Sequence, residues 1–193
     1  MDLLEAVRGR RSIRRFLKKP VPRELIEKLI KECTWAPSAM NTQPWYFYVV
    51  EGEARDKLVE VCSKAFYSIL PRLRELGFPE RHIEFIKWYF FTFGNAPVII
   101  VVYTDRIKEE VYQIGAIESC AAAIQNLLLL AYAEGLGTCW MTGPLWIEDE
   151  INRFLGVEDK VLVALITVGY PEKIPRPPPR REPFIKWVTE VPK

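Results

Sequence analysis

Residues 114–133 read IGAIESCAAAIQNLLLLAYA, and this stretch decides the fold. Helical spacing spreads Ala121, Ala122, Ala123, Ile124 and Leu127 to Leu130 around the whole cylinder, which predicts the longest helix of the chain and one without a wet face. Such a helix is buried on several sides, and a chain of 193 residues supplies too little cover alone. A homodimer with this helix in its core is expected, with Gly115, Ala116, Ser119 and Ala122 letting a second helix approach closely.

Toward the C-terminus, Gly135 ends the helix and Thr138 to Met141 forms a short strand. Gly143, before Pro144, lets main chain come close to a ligand. A small helix from Ile147 to Leu155 and a buried strand from Val161 to Val168 follow. Beyond Gly169 the chain becomes extended and proline-rich, carrying Arg176, Arg180 and Arg181. Residues 170–193 form no core of their own and need a support, which a second subunit would provide.

Toward the N-terminus, the run from Pro97 to Tyr103 is a strand dry on both faces. Before it, residues 63–94 carry a helix from about Pro79 to Tyr89 and the aromatic run Trp88, Tyr89, Phe90, Phe91, Phe93, which reads as core or subunit contact. A helix from Glu53 to about Ala65 turns Leu58, Val61 and Cys62 inward, and Trp45 to Glu51 is a strand. Leu25, Ile26, Leu29, Ile30 and Cys33 stripe an earlier helix ending near Pro37, and Leu3, Leu4 and Val7 mark a short first helix closed by Gly9. The order predicts one α+β domain over residues 1–193, with helices on a small sheet and no internal repeat.

Candidate chemistry gathers in two loops. Arg10, Arg11, Ser12, Ile13, Arg14, Arg15 and Phe16 place four permanently charged guanidinium groups and a hydroxyl within six residues, a cluster suited to phosphate or carboxylate. By itself it is equally a solvated basic turn or a patch for nucleic acid or a membrane surface. Pro37, Ser38, Ala39, Asn41 and Gln43 sit in a rigid polar loop between Pro37 and Pro44 that could hydrogen-bond a flat heterocycle; by itself it is first a tight helix-to-strand connection.

Composition narrows the classes. Hydrophobic residues make up 49% and charged residues 27%, a globular balance, and a net charge of +2 gives nucleic acid little pull. Cys33, Cys62, Cys120 and Cys139 are far apart and read as small core residues; with His82 as the single histidine, no metal site is expected. No stretch reads as a membrane span and the N-terminus has no signal-peptide layout, so a cytoplasmic protein is expected. There is no GxGxxG after a first strand and no P-loop.

The motifs RRSIRRF (10–16), APSAMNTQPW (36–45), GLGTCWMTGP (135–144) and VGYP (168–171) with its basic proline-rich tail occur together in this order. In this the chain resembles the nitroreductase-like FMN-dependent oxidoreductases over nearly its whole length. The resemblance implies an α+β sandwich with a small, mostly antiparallel sheet flanked by helices, in an intertwined homodimer with FMN in the interface and residues 170–193 as an arm on the partner. It further implies that Arg10, Arg11 and Ser12 hold the FMN phosphate, with Arg180 or Arg181 closing on it, and that Arg14 faces the pyrimidine edge of the ring. Pro37, Ser38, Ala39, Asn41 and Gln43 of the other subunit would line the ring, and Thr142 and Gly143 form the turn whose amide points at the flavin N5 atom.

The implied activity is transfer of hydride from NADH or NADPH, through flavin N5, to a small-molecule acceptor such as a nitroaromatic or quinone, in a ping-pong cycle. A flavin performs the hard step itself, so the absence of a credible triad, metal site or general base is expected. The alternatives are a non-enzymatic FMN carrier or sensor, a free-flavin reductase and a dehalogenase. Residues 63–94 are the expected lid, with Tyr67, Phe78, Phe85 and Tyr89 as candidates for an aromatic wall.

Overall fold

Strand β2 (Val98–Asp105) is buried from its first residue through Thr104, because both of its faces carry a hydrophobic layer. Val98, Ile100 and Val102 point to one face and Ile99, Val101 and Tyr103 to the other. The computed structural model describes residues 2–189; Met1 and the last four residues of the expected arm lie outside the described residues. In it β2 pairs with β1 (Tyr46–Glu51) and β4 (Lys160–Gly169), and β3 (Gly137–Met141) pairs with β4, giving an antiparallel sheet in the order β1-β2-β4-β3. Val102 faces Ala164 while Tyr103 faces Leu162, so Val163 is an extra residue in β4. This bulge lets Leu162 and Leu165 share a face although three positions separate them.

One layer holds α2 (Arg23–Cys33) and α6 (Glu110–Ala133). The opposite layer holds α3 (Gly52–Ser63), α4 (Ala65–Glu75), α5 (Glu80–Thr92) and α7 (Glu148–Leu155). The short helix α1 (Leu3–Gly9) lies on α6, where Gly9 takes the Tyr132 hydroxyl into the space of a missing side chain. This is the expected α+β sandwich.

Helix α6 begins four residues before the predicted Ile114. Ala116, Ser119, Cys120, Ala123, Ile124, Leu127, Leu128 and Ala131, spaced three and four apart, are buried against the sheet. At 24 residues it is also long and apolar enough to cross a membrane by length and composition alone, which corrects the expectation that no stretch is; its inner face makes it a core helix here. Within the chain, Gly115 and Ser119 meet the short 3-10 turn Ala39–Asn41. The Ser119 hydroxyl donates to the Gly115 carbonyl (2.6 Å) and accepts from the Ala39 amide (3.1 Å), seating the 36–45 loop.

Other differences are local. Helix α2 stops at Cys33 rather than near Pro37, and α3 buries Val59 more fully than Val61. Helix α4 was not predicted, because Pro71 interrupts its pattern; the helix continues through it without the bond a proline cannot donate. All four cysteines are buried and unpaired, and His82 is exposed.

Candidate functional site

The Arg10–Phe16 stretch belongs to no helix or long strand; its main chain is bonded into the edge of the sheet. The Ile13 amide donates to the Thr138 carbonyl (2.8 Å), the Phe16 amide to Gly94 (3.0 Å), the Leu17 amide to Tyr170 (2.9 Å), and the Glu172 amide to Arg15 (3.1 Å). Ile13 and Phe16 are buried and act as pegs. Glycines make room for the stretch: a Cβ on Gly137 would stand 2.6 Å from Ile13 Cγ1, one on Gly169 3.0 Å from Phe16 Cδ1, and one on Gly94, at φ +62°, would strike the Arg14 carbonyl. With the pegs inward, Ser12, Arg14 and Arg15 are left on the open side.

Around Arg10 the charge is uncompensated. Burial lowers its pKa from the ordinary value, and the neighbouring positive charges of Arg11 and Arg180 lower it further. Among the described residues the buried Arg10 Nε and Arg11 Nε atoms have no hydrogen-bond partner, whereas Arg11 Nη1 donates to the carbonyls of Arg8 (2.6 Å) and Arg10 (2.7 Å). Buried donors without acceptors are costly, so a crowded cation cluster of this kind fits an anion such as a phosphate. Arg180, one of the two tail candidates, thus comes close to Arg10 within the same chain.

Beside the cluster opens a pocket of about 250 Å³ lined by Arg14, Ile69, Phe85, Ile86, Tyr89, Phe90 and residues 139–143. Of the four proposed wall aromatics, Phe85 and Tyr89 line it; Tyr67 and Phe78 do not. Gly143 opens a 3-10 turn (Gly143–Ile147), but its missing side chain also answers to Phe90, whose Cζ would lie 2.5 Å from a Cβ there. Under the pocket, the Tyr89 hydroxyl bonds to Thr167 Oγ1 (3.0 Å), and Cys139 faces Thr167 across the ladder. Burial holds the Tyr89 hydroxyl well above its ordinary range, with Cys139 adding to the effect and the Thr167 bond and the Arg14 charge opposing it. Tyr89 is therefore a neutral phenol at working pH.

The second predicted loop is elsewhere. Met40, Asn41 and Gln43 all have positive φ, a cost for residues with side chains, and the turn is pinned by Ser38 Oγ, which accepts the Gln43 amide (3.0 Å). Pro37, Ser38, Ala39, Asn41 and Gln43 rest by α6, whereas the pocket walls come from α4 and α5 across the sheet, and none of the five lines that pocket. One chain therefore puts Arg14, Thr142 and Gly143 on this pocket and Arg10 and Arg11, with Arg180 near Arg10, at a separate cleft of about 50 Å³ lined also by Tyr132 and residues 135–138, and it leaves the 37–43 group apart from both.

Sequence reasoning missed Ile69, Ile86, Phe90 and Cys139 as pocket residues. Their apolar character marks them as core, and only the convergence of α4, α5 and β3 turns that side of the core into a wall. Among the described residues no group of side chains could hold a metal ion.

A profile of the nitroreductase family matches residues 7–170. A Methanothermobacter thermautotrophicus protein provisionally named NADH dehydrogenase/NAD(P)H nitroreductase is 34% identical over 179 residues, covering 91% of this chain and 80% of that one. The iodotyrosine deiodinase of Thermotoga neapolitana is 30% identical over 194 residues, covering 97% and 98%. The solved structure of an oxidized iodotyrosine deiodinase bound to FMN and 3-iodo-L-tyrosine matches with a TM-score of 0.76 at 26% identity, covering 97% of this chain and 100% of that one. With the profile matched over residues 7–170 and a relative 34% identical over most of both chains, the chain belongs to the nitroreductase family.

Proposed function

We propose that the protein is an FMN-dependent oxidoreductase that takes electrons from NADH or NADPH and passes them to a nitroaromatic, quinone or similar acceptor in a ping-pong cycle, as a homodimer. The observation that carries this is the pair of buried Nε atoms of Arg10 and Arg11, without a partner among the described residues, on the same stretch as Arg14, which lines an apolar pocket ending at Thr142 and Gly143. Those donors fit the phosphate of FMN and the pocket fits a flat ring. When bound, FMN supplies hydride and electron transfer at ring atom N5.

The residues divide the remaining work. Arg10, Arg11, Ser12 and Arg180, with Arg181 next to it, neutralise the phosphate. Arg14 brings positive charge to the pyrimidine edge, and the Thr142–Gly143 turn offers a main-chain amide toward N5. Pro37, Ser38, Ala39, Asn41 and Gln43 line the ring from a second copy, which explains why one chain leaves them apart from the pocket. Tyr170, Pro171, Glu172 and Arg180 stay by their own chain, and the arm beyond Arg180 lies on that copy: Phe184 is 91% exposed and Trp187 87%, and side chains of this size need cover. Residues 63–94 form the lid side through α4 and α5.

Purified protein should be yellow, should be bleached anaerobically by NADH or NADPH, and should give parallel double-reciprocal lines with a quinone as second substrate. Colourless protein that takes up no FMN overturns the proposal; yellow protein indifferent to both nicotinamides supports the carrier. The deiodinase relatives favour a second reading, reductive dehalogenation of an aromatic. It ranks lower because the α4 and α5 side chains at the pocket, Ile69, Phe85, Ile86, Tyr89 and Phe90, offer no charge to a zwitterionic amino acid. Turnover of 3-iodotyrosine at a rate comparable with a quinone would reverse that ranking.

A further inference from the structure

The bonds that fix the arginine stretch are made by main-chain atoms of Ile13, Arg15, Phe16 and Leu17, and they leave the long Arg14 side chain free to turn. Among the described residues its guanidinium takes part in no salt bridge, and it is exposed. What it meets is the ring of Tyr89, whose centroid lies 5.9 Å from Arg14 Cζ, within the range of a cation–π contact. Tyr89 itself cannot turn. Its backbone is in α5, Phe93 stacks on it with centroids 6.1 Å apart, and its hydroxyl is bonded to Thr167 of β4 at 3.0 Å. Tyr89 and Thr167 are both buried, and Tyr89 shows its remaining surface to the pocket that Arg14 overhangs.

We propose that Tyr89 is a positioning residue: its ring, tied to the sheet through Thr167, holds the Arg14 guanidinium over the pocket and so sets how strongly bound flavin prefers its reduced state. This rests on the FMN assignment above. Reduction by two electrons and one proton leaves one negative charge on the ring. A cation fixed beside that charge stabilises it more than a cation distributed over many rotamers, because no reorganisation is needed when the charge arrives.

The test is a double-mutant cycle read by the flavin midpoint potential rather than by turnover. Tyr89→Met, which fills the volume without a π face, should weaken the preference for reduced over oxidised FMN about tenfold, about 30 mV for the two-electron couple. Tyr89→Phe keeps the π face but loses the hydroxyl bond to Thr167, so it should shift the preference in the same direction as Tyr89→Met and by less, about threefold. Thr167→Val removes only the anchor and should shift the potential in the same direction as Tyr89→Met, so that if one of these two fails to fold the other decides. In the Arg14→Ala background, Tyr89→Met should give no further shift.

An equal shift in both backgrounds, or none in either, overturns the proposal, since a purely structural role would not depend on Arg14. The same four proteins stripped of flavin should show non-additive melting temperatures, and additive ones overturn the contact itself. Wild-type protein that takes up no FMN overturns the functional assignment and the flavin half of this inference, while the flavin-free cycle still decides whether Tyr89 holds Arg14.

Discussion

Arg10 and Arg14 stand four positions apart on one extended stretch, yet the first is half-buried among cations and the second is exposed over an apolar pocket. Their substitutions should therefore differ. On the proposed assignment Arg10→Ala should remove a charged hydrogen bond to phosphate, a loss of about 1.5–3 kcal/mol or roughly 10- to 100-fold in the Kd of FMN by fluorescence titration. Arg14→Ala should change that Kd less and slow anaerobic reduction by NADH or NADPH more. Gly94→Ala would drive a methyl group into the Arg14 carbonyl at a φ of +62°, and should cost more than about 1 kcal/mol in denaturant unfolding. Burial pushes the Cys33 thiol from an ordinary 9.0 up to about 12. The unfolded chain then loses its proton first, so this contribution to stability is whole below pH 9.0 and falls as pH rises from there through about 12, which unfolding midpoints at pH 8 and pH 10.5 would register. At this scale the arginines were legible only in company: four guanidinium groups in six residues read equally as a solvated basic turn until the motifs at 36–45, 135–144 and 168–171 stand beside them. Tyr89 was legible only as one aromatic among several, since its partners Arg14 and Thr167 lie 75 and 78 positions away.

Among the elements, strands β2 and β4 could be read from composition, because both of their faces are buried, and helix α6 from its long apolar run, although within the chain only one of its faces is buried. Helix α4 could not, since Pro71 breaks the pattern and only packing against α5 and the 3-10 turn at residues 143–147 holds the helix through it. The bulge at Val163 was also invisible: one unpaired residue in a wholly apolar run leaves no mark in the sequence. Leu127 is fully buried where α6 meets the sheet, and Leu127→Ala should destabilise the protein by about 2–5 kcal/mol in urea unfolding. An exposed helix position such as Glu118→Ala should stay within about 0.5 kcal/mol in the same measurement.

For the whole molecule, the outer surface of a single chain carries an apolar load that water does not favour. Trp35 is 82% exposed and Met40 79%, and Leu3, Leu4, Val7, Val111, Tyr112 and Ile114 are exposed on α1 and the first turns of α6. A dimer burying these groups should sediment as one species at micromolar concentration. Deleting residues 173–193 should both loosen that dimer and weaken FMN binding, because the arm carries Arg180 as well as Phe184 and Trp187.

The amides of Ile13, Phe16 and Leu17 hold residues 13–17 in place through main-chain atoms alone. Placement and charge are thus written in different atoms, so the cradle can be re-equipped one side chain at a time while the strand stays where it is. A lineage built on this arrangement can exchange its chemistry without rebuilding its frame.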